Sequence, residues 1–411
     1  MHNLKSWLKN ILLFIFSLTL VLLIGEWLFP KYLNKLPFRL YGGVKNELRI
    51  LAQYSKHSVL PENYIAIVGD SNSVGVGDLY KNLTKNSKNW YPDYSPAHFI
   101  NKAVGVDVVS FGLAGAGSFQ GIWSEPVNQF KYINSLGFDL KPPKTVLVLF
   151  YEGNDIGNNL QLVRESYKGS EAIQDLNHFK KFNSWLNLQF ENSIKENHNG
   201  FFGNLIFTNF IFKSIKNIFL ENLNKKESFD RIIFPATPFS QATMNGETVP
   251  LPVHLMAPPL FGVTFLDKKY GYNDDSLRIG YYIFERAIEK IKKFFSNSEI
   301  KVVYLPSTLA SYQLISSTVS FRGNMGDFGI IATKKLNQRH LEVCQKIMKI
   351  TQGLEVGFFD STKYLLDASS KTYIHGPIDW DHLNESGYRA LSHGISQFIL
   401  HPNDHYQNCK Y

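Results

Sequence analysis

The sequence predicts an α/β fold, a parallel sheet covered by helices on both faces, and three features carry that prediction. Short apolar runs rich in β-branched residues recur at Ile65–Val68, Val106–Phe111, Thr145–Tyr151, Ile300–Leu305 and Leu354–Phe359. Stretches with helical spacing of apolar residues fall around them, at Pro96–Val104, Ile122–Leu136, Tyr281–Phe295, Leu336–Thr351 and Glu385–Leu400. Alternation of this kind builds a parallel sheet with helices packed against it. The third feature is composition: 44% hydrophobic and 14% aromatic residues over 411 positions supply a large core and argue against disorder. No internal repeat or low-complexity tract breaks the pattern.

The chain opens with a candidate membrane anchor. Lys5 and Lys9 precede an uncharged run, Asn10–Gly25, and Trp7 and Trp27 stand where interfacial aromatics belong. The run is slightly short of the ~20 residues that span a bilayer, but Lys9 can snorkel. No small-x-small site follows it, so residues 1–30 read as an uncleaved signal anchor and not as a removed signal peptide. Lys31, Lys35 and Arg39 compete with Lys5 and Lys9, so flanking charge does not fix the orientation. The large C-terminal part is expected outside the cytoplasm, in a periplasm-like space. Residues 31–63 read as a basic, partly helical connector, residues 64–402 as the main domain, and residues 403–411 as a tail.

Within the main domain, the strand Ile65–Val68 stops at Gly69-Asp70-Ser71, where turn-forming residues take over. From these residues alone Ser71 is either a helix cap or a reactive hydroxyl placed at a strand end. The segment that follows is polar through Tyr94. The second strand runs into Gly112-Leu113-Ala114-Gly115, and the third, Thr145–Tyr151, into Glu152-Gly153-Asn154-Asp155. From Ile156 to about Asp275 the alternation lapses over a length too great for a plain loop. Inside this insertion (about 156–275), Phe201–Asn224 reads either as a core helix of an inserted unit or as an amphipathic helix on the membrane or over a site. Pro235–Pro259 is dotted with proline and is expected to be irregular.

The net charge of +8 is spread along the chain; the basic stretches Lys213–Lys226 and Lys290–Lys293 read as solvated helix faces. No nucleic-acid motif accompanies them, so no nucleic-acid partner is expected. Cys344 and Cys409 form no disulfide framework and no metal spacing, and both are expected to be incidental. Acid–histidine pairs such as Asp404-His405 lack a third ligand, so no metal is expected.

Four polar groups stand at strand ends or before the last helix: Gly69-Asp70-Ser71, Gly112-x-x-Gly115, Gly153-Asn154-Asp155 and Asp379-Trp380-Asp381-His382. In a parallel sheet the C-terminal strand ends share one edge, so groups distant in sequence meet there. Together they hold what acyl transfer requires. A serine needs a base near neutrality to take its proton, and a carboxylate on the other ring nitrogen fixes the histidine tautomer. An oxyanion needs preorganised N–H donors.

These blocks resemble the SGNH (GDSL-type) hydrolase superfamily, over roughly Tyr64–Asp155 and Ile300–Leu400. The resemblance implies Ser71 as nucleophile, His382 as general base and Asp379 as its acid. It implies an oxyanion hole of the Ser71 and Gly115 backbone N–H groups and the Asn154 side chain. Leu383-Asn384-Glu385-Ser386-Gly387-Tyr388 is also similar to the family's entry into the last helix. One position departs: five residues before the glycine the family commonly has Asn, and here Ser110 stands. Asp381 is the less suitable acid, since a carboxylate three residues back in a turn reaches the ring better than a neighbour. Asp70 and Asp155 are expected as braces, His375 as a possible substrate contact, and His393, His401 and His405 receive no role. The implied fold is a flavodoxin-like three-layer sandwich of about five parallel strands with the insertion as a partly helical cap. The implied activity is that of a serine esterase acting on an acyl or acetyl ester of a cell-surface carbohydrate or lipid, without metal or organic cofactor. O-acyl transfer to a polysaccharide by the same triad is one alternative. A non-catalytic binding or assembly protein on the hydrolase scaffold is another.

Overall fold

The computed structural model describes residues 2–86, 89–167, 176–195, 201–223, 240–323, 326, 328–401 and 409–410. Ten strands are present among them: β1 (Ile65–Val68), β2 (Val108–Ser110), β3 (Thr145–Tyr151), β4 (Ser240–Met244), β5 (Glu247–Leu251), β6 (Leu255–Met256), β7 (Glu299–Leu305), β8 (Thr318–Arg322), β9 (Phe328–Ala332) and β10 (Gly357–Asp360). Five of them form the central sheet in the order β10-β7-β3-β1-β2, every pair parallel. Numbered among themselves in chain order, these are 2-1-3-4-5, the flavodoxin-like arrangement.

Strand alternation divides the core into two faces. Ala66, Val68, Val146, Val148, Phe150, Val302 and Tyr304 point to one face, where the helices Glu125–Ser135, Asp274–Phe294 and Thr333–Gly353 bring Ile133, Phe284 and Ile347. Ile65, Ile67, Leu147, Leu149, Val303 and Leu305 point to the other, against Ile100 of the helix Pro96–Val104 and Leu391 and Ile395 of the closing helix Glu385–Leu400. β1 and β3 are buried at every position, as expected of strands covered on both sides. Three layers result.

The N-terminal helix His2–Leu28 is long and apolar enough to cross a membrane, and none of its apolar window is buried. Its 27 residues reach about 40 Å at 1.5 Å per residue. That is longer than the uncharged run suggested, because the helix continues through the polar flanks. Residues 31–63 do more than connect: Leu33, Val44, Leu48, Ile50 and Leu51 are buried in the larger core face.

Several elements differ from the sequence expectations. The polar stretch after Ser71 contains a helix, Asp78–Asn86. The described part of the proline-dotted segment holds the hairpin β4-β5 and the short β6, since prolines at strand edges do not stop pairing. β6, β8 and β9 form a second small sheet. Residues 224–239, with the first part of the Pro235–Pro259 expectation, lie outside the described residues, as do Asp404 and His405. The cysteines are not incidental. Cys344 and Cys409 form a disulfide, with Cα atoms 5.7 Å apart. A pair 65 positions apart gives no local sequence signal; Cys409 lies beside β10, where its N–H donates to Asp360 Oδ2 at 3.0 Å.

Candidate active site

The loop that carries Ser71 is built by β1 and the turn after it. At Gly69 (φ +143°) a Cβ would lie 2.7 Å from the carbonyl oxygen of Leu149 on the neighbouring strand, so only glycine leaves the sheet here. Asp70, not Ser71, caps the one-turn helix Ser71–Val74, accepting from the Asn72 N–H at 2.9 Å. Ser71 is therefore released from the capping role. Tyr388 of the closing helix donates to the Val76 carbonyl at 2.5 Å and ties the loop to that helix. Gly77 (φ +154°) lets this loop meet the histidine loop, because a Cβ there would come 2.3 Å from the Leu383 carbonyl oxygen.

Ser71 and His382 are 311 positions apart, yet Ser71 Oγ lies 2.8 Å from His382 Nε2. His382 Nδ1 lies 2.9 Å from Asp379 Oδ2. With Nδ1 as the N–H donor, Nε2 is left to accept the serine proton. Asp379, not Asp381, takes the ring. Asp381 instead pairs with Arg322 at 2.8 Å. Burial opposes ionisation of Asp379, but His382 and Lys81 together outweigh it and hold the carboxyl well below the usual carboxylate range. Burial likewise opposes charge on His382, and Asp379 outweighs it, so the imidazole is raised above its ordinary value.

Two residues of the helix Asp78–Asn86 complete this arrangement and had no sequence signal. Asp78 accepts the backbone N–H groups of Ile378 at 3.1 Å and Asp379 at 2.5 Å, fixing the loop. Lys81 Nζ lies 2.7 Å from Asp379 Oδ2, the same oxygen that faces the histidine. An amphipathic helix with one lysine per turn reads as surface, and nothing local says that its partner lies almost three hundred positions away.

Gly115 and Asn154 line the same cavity as Ser71 and His382, a cleft of about 430 Å³. The N–H groups of Ser71 and Gly115 donate to no other atom among the described residues. Asn154 Nδ2 donates one hydrogen to Asp70 Oδ2 at 3.1 Å, and its second N–H is left for the cleft. Asp155 accepts from the Tyr151 N–H at 3.0 Å and so braces the end of β3. Burial and the nearby Asp70 carboxylate push Asp155 well above the carboxylate range, and burial raises Asp70 as well. One residue earlier, buried Glu152 binds the Tyr304 hydroxyl at 2.5 Å, the Ser307 N–H at 2.8 Å and His340 Nδ1 at 2.9 Å, locking β3 to the β7 end.

Ser110 keeps its loop in place by other means than an asparagine side chain. Gln53 donates to the Ser110 carbonyl and accepts its N–H, both at 2.7 Å, while Ser110 Oγ accepts from the Gly112 N–H at 3.2 Å. Arg322, at the end of β8, also lines the cleft with Met256; neither carried a motif. His375 does not reach it. Its ring is buried, 3.3 Å from the Tyr312 hydroxyl, and burial pushes its pKa down to about 3. The expected substrate contact there is withdrawn, because a neutral, enclosed imidazole meets no ligand.

Among known proteins, no family model matches this chain and no curated sequence matches it.

Proposed function

We propose that this chain is a membrane-anchored serine hydrolase of the SGNH type that cleaves a short acyl ester. The supporting observation is the continuous Ser71–His382–Asp379 chain, at 2.8 and 2.9 Å, facing the same cleft as Gly115 and Asn154. His382 Nε2 takes the Ser71 proton as Oγ bonds to the ester carbon. The oxyanion accepts from the N–H groups of Ser71 and Gly115 and from Asn154 Nδ2. His382 then gives its proton to the leaving alcohol oxygen, and a water, activated by the same base, releases the acid. Val76, Ala114 and Gly115 leave room for a small acyl group, and the Arg322–Asp381 pair with the Tyr151 hydroxyl suits a hydroxylated leaving group. An acetyl ester of a carbohydrate fits this lining best. If a sugar hydroxyl replaces water in the second half, the same groups carry out O-acyl transfer.

The Cys344–Cys409 disulfide favours the catalytic domain lying in an oxidising space outside the cytoplasm. A helix fit to span a bilayer precedes it. The test is fluorophosphonate labelling of the full chain beside Ser71→Ala, with a nitrophenyl acetate assay. Labelling and a burst in the wild type that vanish in the variant are expected, with kcat falling by roughly 10⁴-fold or more. Equal labelling of both proteins sinks the enzyme reading and leaves the scaffold alternative. Mass spectrometry of surface glycans, with and without the active protein, then separates loss of acetyl groups from gain.

A further inference from the structure

A second cavity, of about 380 Å³, lies far in kind from the catalytic cleft: it shares no residue with it and is mainly apolar. Phe29, Leu205, Ile206, Phe210 and Phe212 form its apolar wall. Lys45, Lys213 and Lys216 also line it. Its position follows from the last turn of the N-terminal helix. Glu26 accepts the N–H groups of Phe207 at 3.0 Å and Thr208 at 2.8 Å, capping the start of the helix Ile206–Leu223. The Phe207 ring covers Gly25, where a Cβ would sit 2.1 Å from it, and Phe29 packs with tilted rings against Phe207 and Phe210, at centroid distances of 5.4 and 4.6 Å. The second helix therefore starts against the end of the span. Lys31 Nζ lies 3.8 Å over the Trp27 ring at the same level, the residue pair that marks a headgroup boundary.

We infer that this cavity binds an anionic phospholipid of the bilayer, with an acyl chain along the phenylalanine wall and the phosphate among the three lysines. This rests on the membrane reading of the N-terminal helix and is independent of the catalytic one. Charge complementarity selects the occupant. Lys213 donates to the Val44 carbonyl at 2.8 Å, which positions its ammonium at the cavity wall. Lys45 sits over the Tyr132 ring at 3.9 Å, with Glu47 4.0 Å away as its one carboxylate partner among the described residues. Lys216 is exposed beside them. Among the described residues, three lysines against one carboxylate leave the pocket net positive. Phe212 and Ile215, 68% and 48% exposed, form an apolar stripe next to Lys213 and Lys216 on the same helix. Such paired stripes belong to helices lying in a membrane interface.

The test uses the full chain. It is floated with vesicles of phosphatidylcholine alone, or of equal parts phosphatidylcholine and phosphatidylglycerol. It is then transferred to nanodiscs of the mixed composition, and the lipid retained on the protein is identified by native mass spectrometry. The inference expects flotation with both vesicles and retention of phosphatidylglycerol about tenfold above phosphatidylcholine. Lys45→Gln with Lys216→Gln should abolish that preference, and Lys290→Gln with Lys293→Gln, which removes equal charge from another face, should leave it intact. Failure to float overturns both the anchor and the lipid site. Flotation with equal retention of the two lipids, or equal loss in both double variants, overturns the lipid site and leaves the anchor standing.

Discussion

Lys81 sets the charge state of the candidate triad more than its place on a surface helix suggests. Its ammonium shares an Asp379 oxygen with the histidine, so it competes with the imidazolium for the same carboxylate. Removing it leaves Asp379 facing His382 alone, which favours the protonated ring and delays the appearance of the free base as pH rises. Lys81→Met is expected to move the acid limb of kcat/KM upward by about half a unit to one unit, the attenuation reflecting its partial exposure. Lys81→Arg should restore the limb, and an unchanged pH profile in Lys81→Met would remove this role from the residue. Ser71, His382, Asp379 and Asn154 were legible because each residue type is demanded by chemistry and each block stands at a strand end. Lys81, Asp78 and Gln53 were not. They act through contacts 57 to 301 positions away, and their local sequence looks like ordinary helix surface or loop.

At the scale of elements, the five central strands were readable because burial on both faces leaves uninterrupted apolar runs. Their ends were less so: Val106–Phe111 shortens to β2 at Val108–Ser110, since pairing with β1 covers only those three residues. β8 and β9 were invisible for another reason. Phe328 and Ile330 are exposed, and a hairpin that brings Arg322 to the cleft carries no strong inside–outside contrast. The disulfide escaped because pairing is a property of the folded ring and not of spacing. It joins the helix Thr333–Gly353 to the last residues and closes a loop of 65 positions. Closing a loop of that size constrains the unfolded chain, so Cys344→Ser with Cys409→Ser should lower stability by about 4 kcal/mol at most. Chemical unfolding under non-reducing conditions measures this. No difference between the two proteins would mean that the tail is held by its other contacts alone.

The whole molecule carries a pH dependence of stability separate from catalysis. His98 and His375 are both buried, and burial depresses them from 6.5 to about 4 and about 3. Below pH 6.5 the unfolded chain takes protons that the folded chain refuses, so it binds more protons and stability falls as pH falls. The loss runs from about 6.5 down to the two folded values, at about 1.4 kcal/mol per pH unit for each histidine. His375→Gln should halve the part of the slope these two residues supply, as read from urea midpoints between those limits. An unaltered slope would place the effect elsewhere.

Residues 31–63 also decide how far the molecule can act. Because Leu33, Val44, Ile50 and Leu51 are packed into the domain core, no slack tether separates the span from the Ser71–His382 cleft. Glu26 fastens the last turn of the span to the domain as well. With the span in a bilayer, the cleft is carried at a fixed height, and diffusion in the plane is its only means of search. Under the proposed activity, the cleft would serve one thin stratum above the lipid surface. A long polymer substrate would then be modified only at the segments that pass through that stratum, and material beyond it would be left untouched.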